Sequence, residues 1–82
     1  MINEKIEKTV KGIISSLFNV EESNIINSSS PETIQEWDSL GQMNLVMSLE
    51  EEFGISFTDN QVIEMVNFEL ICLTVKEVLD SQ

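Results

Sequence analysis

The sequence has no histidine, no arginine and no tyrosine, and only one cysteine, one proline and one tryptophan among its 82 residues. Each absence removes a class of function. Without histidine no side chain titrates near neutral pH unperturbed, so the ready general base and the commonest metal ligand are missing. A single cysteine excludes an internal disulfide, and without histidine it excludes a Cys/His zinc framework. The scarcity of Gly and Pro argues against an all-β sandwich with many tight turns. No segment approaches the roughly 20 apolar residues of a membrane span. The first residues carry Glu4 and Glu7 and lack an apolar run, so no signal peptide is expected and cytoplasm is the default compartment. There is no glycine-rich phosphate loop, and the acids at 50, 51 and 52 do not follow a calcium-loop spacing, so no metal site is expected.

Positive charge is scarce too. Four lysines face fifteen acids, a net charge of −11. The imbalance is uneven. Residues 1–18 hold Glu4 and Glu7 against Lys5, Lys8 and Lys11, whereas residues 19–82 hold thirteen acids against Lys76 alone. Such a surface repels nucleic acid and anionic membranes. It attracts and steers a basic protein partner. A hydrophobic content of 41% is too high for a disordered acidic tail, and the length suits one small domain over 1–82.

Apolar residues recur at helical spacing. Ile2, Ile6, Val10, Ile13 and Leu17 step by three or four and predict a helix over 2–18, with Glu4/Lys8 and Glu7/Lys11 as i,i+4 pairs on its wet face. Residues 19–37, rich in Ser, Asn and Glu, form a long connection with Ile25 and Ile26 as anchors into the core. Ser30-Pro31-Glu32 fits the start of a short helical turn, since Pro suits a first helical position. A second helix spans 39–53, with Ser39 as N-cap, Gln42 completing a capping box and Gly54 as the stop. Thr58 and Gln61 form another capping box for a short third helix over 58–66. Asn67 caps a last helix over 68–80, whose apolar face is Phe68, Ile71, Val75 and Val78. Cys72 falls on the core side of that helix. The expected fold is all-α: a small four-helix bundle, three main helices plus one short one, with a long loop between the first and second.

The second helix has two apolar faces. On a helical wheel Leu45, Val46, Leu49 and Phe53 form one, and Leu40, Met43 and Met47 form the other, flanked by Glu50 and Glu51. One core cannot use both. Either the second face is covered by the long loop, or it meets other proteins, where adaptable Met is favoured. Ser39 likewise admits two roles. It caps the helix, or its hydroxyl bears a negatively charged group that the helix N-terminus stabilises. No base stands by to make it a nucleophile, since Asp38 is a poor base at neutral pH. Chemistry must then come from a cofactor or from partner enzymes.

Glu36-Trp37-Asp38-Ser39-Leu40 resembles the Asp-Ser-Leu attachment motif of acyl carrier proteins. The run from Leu45 through Leu49-Glu50-Glu51-Glu52-Phe53 to Ile55 resembles that family's second helix and the turn after it. Length, acidity and helix order agree, so the resemblance covers nearly the whole chain. It implies a carrier and not an enzyme. A phosphopantetheinyl transferase would attach 4′-phosphopantetheine from coenzyme A to Ser39. An acyl-loading ligase or transferase would charge the arm's thiol. Enzymes of the ketosynthase or acyltransferase type would dock through basic surfaces. Carried over, Asp38 and Leu40 flank the attachment site, and Met43, Met47, Glu50 and Glu51 meet partners, with the chain a monomer. Carriers of fatty acid synthesis usually have acids at the positions of Gly41 and Asn44. Those departures, with Trp37 before the motif, resemble stand-alone carriers of dedicated pathways. The housekeeping fatty acid carrier and an aminoacyl or D-alanyl carrier are the alternatives, and an acidic adaptor without a prosthetic group is the alternative of another class. Trp37 fits equally as a hydrophobic anchor for the loop.

Overall fold

A computed structural model describes residues 4–81. Helix α1 (Glu4–Phe18) buries Ile6, Val10, Ile14 and Phe18, every fourth residue. The expected stripe ran through Ile13 and Leu17, but Ile13 is only partly buried and Leu17 is exposed. Ile2 lies outside the described residues. Each expected residue has an apolar neighbour one position on, so the sequence offers two interleaved series. Tertiary contact chooses between them: Phe18 stacks on Trp37 with ring centroids 5.6 Å apart and planes 23° apart. The expected Glu7–Lys11 pair does not close, and Lys11 Nζ instead lies 5.7 Å from the centre of the Phe68 ring. Asn19 ends α1 in the left-handed region at φ 55°, and Val20 N–H donates to the Ser15 carbonyl across it. Asn tolerates that conformation better than most side chains.

The connection from 19 to 38 is well pinned. Ile25, Ile34 and Trp37 are buried, whereas Ile26, expected as an anchor, points to solvent. A 3₁₀ turn at Glu22–Asn24 precedes Ile25. Ser30-Pro31-Glu32 makes a turn in which Thr33 and Ile34 N–H both donate to the Ser30 carbonyl, and no helix follows. Buried Ser29 accepts from Ile26 N–H through its hydroxyl, at 2.8 Å. Its carbonyl accepts from Phe68 N–H, and the Asn27 carbonyl accepts from Glu69 N–H. Loop carbonyls thus satisfy N–H groups that the start of a helix would leave orphaned.

Three further helices complete the bundle: α2 (Ser39–Phe53), α3 (Asp59–Glu64) and α4 (Phe68–Asp80). Leu45 and Leu49 of α2 are fully buried, with Val46 and Phe53 packed beside them. Gly54 closes α2 at φ 65°, which frees Ile55 to turn back into the core. The Thr58–Gln61 capping box forms in both directions, and α3 stops at Glu64, two residues short of expectation, so that Met65 can fill the core. Asn67 caps α4 by accepting from Leu70 N–H at 2.8 Å. The described residues include no strand, no helix long and apolar enough to cross a membrane, and no acidic or thiol cluster able to hold a metal.

Cys72 is fully buried on α4. Burial, with a smaller push from Glu7 and an opposing pull from Lys11, raises its thiol from 9.0 to about 12. The folded thiol therefore keeps its proton while the unfolded one loses it. The stability linked to it is full below about 9 and is lost as pH rises toward 12. The native protein is expected to resist iodoacetamide at about pH 8 and to be alkylated fully in denaturant, because the thiolate is the reactive form. Rapid native alkylation, read by mass, would contradict this.

Candidate functional site

The site forms where the long loop enters α2. Asp38 holds an extended backbone at φ −98° and ψ −167°, and its Oδ1 accepts from Gly41 N–H at 2.8 Å. Asp38 is therefore the N-cap. Ser39, expected in that role, is the first helical residue instead, and its hydroxyl makes no hydrogen bond among the described residues. The reason is geometric. The carbonyl of Asp38 accepts from Gln42 N–H at 2.8 Å, so the helix begins one residue later than a Ser39 cap requires. Ser39 is left exposed at the helix N-terminus, where the N–H groups of Ser39 and Leu40 stay available to an anion.

Gly41 lies beneath this turn and is buried. A Cβ there would stand 2.5 Å from the Glu36 carbonyl oxygen and 2.9 Å from the Phe18 ring. The glycine lets the loop cross the helix closely; it does not make space beside Ser39. Gly41→Asp is expected to cost roughly 1–3 kcal/mol by overpacking, measured by urea denaturation. A loss within the ordinary surface range of about 0.5 kcal/mol would mean that the loop yields freely.

The second apolar face of α2 is not covered. Leu40, Met43 and Met47 are 67%, 61% and 58% exposed. Glu51 is exposed as well. Glu50 is half-buried, and its Oε2 accepts from Phe57 N–H at 2.8 Å, so this carboxylate also fastens the turn after α2. Sequence reasoning missed the other wall of the site. An open groove of about 780 Å³ runs from Ser39 between the loop and α3, with Val62, Ile63 and Val66 on one side and Pro31 and Gln35 on the other. Ile63 is 71% exposed. The available signal was Val62-Ile63 followed by Met65-Val66, more apolar surface than so short a helix can bury.

The arrangement is a helical bundle presenting an unengaged serine hydroxyl beside an open groove, with no group placed to activate it. It suits covalent attachment of a charged arm by another enzyme better than catalysis. Residues 8–75 match the family model described as "Phosphopantetheine attachment site", a span that runs from α1 into α4 and includes Ser39. An acyl carrier protein of Buchnera aphidicola subsp. Schizaphis graminum is 39% identical over 54 residues, covering 66% of this chain and 68% of that protein. An acyl carrier protein homolog of Mycoplasma genitalium is 45% identical over 42 residues, covering 51% of this chain and 50% of that protein. The chain belongs to the acyl carrier family, whose members bear 4′-phosphopantetheine and have no catalysis of their own.

Proposed function

We propose that the chain is one carrier unit over 1–82, acting in the cytoplasm as a monomer, with Ser39 as the attachment residue. Acyl intermediates ride on it as thioesters and are presented to the enzymes of a dedicated biosynthetic pathway. The observation that carries this reading is the division of labour between Asp38 and Ser39. With Asp38 capping the helix, the Ser39 hydroxyl is free, exposed and next to N–H groups that favour a phosphodiester. The bound arm supplies a thiol for thioester formation. The chain's own residues hold that attachment point at a fixed helix end.

Leu40, Met43 and Met47 offer apolar contact, and Asp38, Glu50 and Glu51 offer negative charge beside it. Together they suit enzymes with basic docking surfaces: a phosphopantetheinyl transferase, a loading ligase or transferase, and ketosynthase- or acyltransferase-type partners. The dedicated pathway is favoured over housekeeping fatty acid synthesis by Gly41. Its site is too tight for the acid found there in fatty acid carriers. Intact mass after incubation with coenzyme A and a broad-specificity transferase tests the reading. A gain of one phosphopantetheine is expected. No gain on a folded chain would leave the acidic adaptor.

A further inference from the structure

Gln42 lies one turn into α2 from Ser39, and its amide is engaged at both ends. Oε1 accepts from Trp37 Nε1 at 2.6 Å, and Nε2 donates to the Met65 carbonyl at 3.3 Å. One side chain therefore ties the loop, α2 and the junction between α3 and α4. Behind this clasp Trp37, Leu45, Leu49, Met65, Phe68 and Ile71 are all buried to 1% exposure or less. In front of it lies the open groove beside Ser39. We propose that Gln42 is a positioning residue that bars the bundle interior, so that cargo tethered at Ser39 lies in the surface groove and is short or polar.

This rests on Ser39 as the attachment point. Any path from Ser39 into the core between α2 and α3 must part Gln42 from Met65 or from Trp37. Parting it from Trp37 leaves a buried indole N–H without a partner, which is more costly than losing an exposed bond. It also disturbs the stack on Phe18. The groove itself is mixed in character. Ser30, Glu32, Gln35 and Gln42 line it together with Pro31, Ile63 and Val66. Its apolar wall can cover a few methylenes, while its polar lining matches hydroxyl, carbonyl or amide groups better than a long alkyl chain.

The test uses the full chain charged directly with acetyl-, hexanoyl- and decanoyl-phosphopantetheine from the corresponding acyl-coenzyme A. Hydroxylamine then displaces the thiol, and each rate is compared with that of the same acyl-pantetheine free in solution. In the wild type every rate is expected within about twofold of the free compound, whatever the length, because a groove open to water does not shield the carbonyl. Gln42→Ala is expected to protect decanoyl about fivefold or more relative to acetyl, as the interior becomes reachable and excludes the attacking species. Protection that grows with length in the wild type would overturn the proposal, as would a Gln42→Ala series identical to the wild type. Should Gln42→Ala fail to fold, Trp37→Phe serves in its place, since it keeps an aromatic ring for the stack and removes the N–H donor. Absence of any mass gain on charging would remove the carrier reading as well, whereas charged but length-protected protein would remove this inference alone.

Discussion

Ser39→Ala is expected to abolish phosphopantetheine attachment completely and to leave the fold almost untouched. Asp38→Ala is expected to do nearly the reverse. The two residues are neighbours, and both are of a type that caps helices. The structure gives the cap to Asp38 alone, through its bond to Gly41 N–H. Losing that bond costs about 1 kcal/mol, the usual value of an N-cap. Ser39 makes no such bond, so removing its hydroxyl falls in the surface range of about 0.5 kcal/mol or less. Intact mass after transferase treatment and urea denaturation of both variants read the two effects separately. A Ser39→Ala variant that still gains the arm would move the attachment elsewhere. One that loses about 1 kcal/mol would make Ser39 a cap after all.

The same pair shows how far the sequence could be read. The extent of α2, the Gly54 stop, the Thr58–Gln61 box and the Asn67 cap were legible because they depend on residues within a few positions of one another. The exposed stripe of Leu40, Met43 and Met47 was legible because one helix cannot turn two faces to one core. Which of Asp38 and Ser39 caps was not legible, since either side chain can reach the first turn and the choice depends on how the loop arrives. That arrival is set by Gly41 passing under the Glu36 carbonyl and by Trp37 meeting Phe18, contacts between segments distant in sequence. The misassigned face of α1 has the same origin. Ile13 and Ile14 are equally apolar, and only the partner across the core distinguishes them. Ile63 and Val66 were passed over because a six-residue helix carries too little periodicity to show which residues remain outside.

Trp37→Ala is expected to unfold much of the population. At roughly 0.05–0.15 kcal/mol per residue, a chain of 82 residues has about 4–12 kcal/mol to lose. Truncating a buried Trp removes about 3–5 kcal/mol through lost transfer energy and the void left behind. Trp37 is 1% exposed, so the full effect applies, and the Phe18 ring loses its stacking partner. Gln42 is half-buried, so its freed oxygen can be hydrated and adds little. Trp37→Phe should fall between, keeping part of the stack and losing the N–H bond, which nets about 1 kcal/mol. Far-UV circular dichroism during urea titration ranks the three proteins without relying on tryptophan emission. A Trp37→Ala loss under about 1 kcal/mol would mean that the other buried loop residues, Ile25 and Ile34, suffice to hold the connection. The larger loss would instead make the residue two before Ser39 the fastening that carries the attachment serine to its helix end.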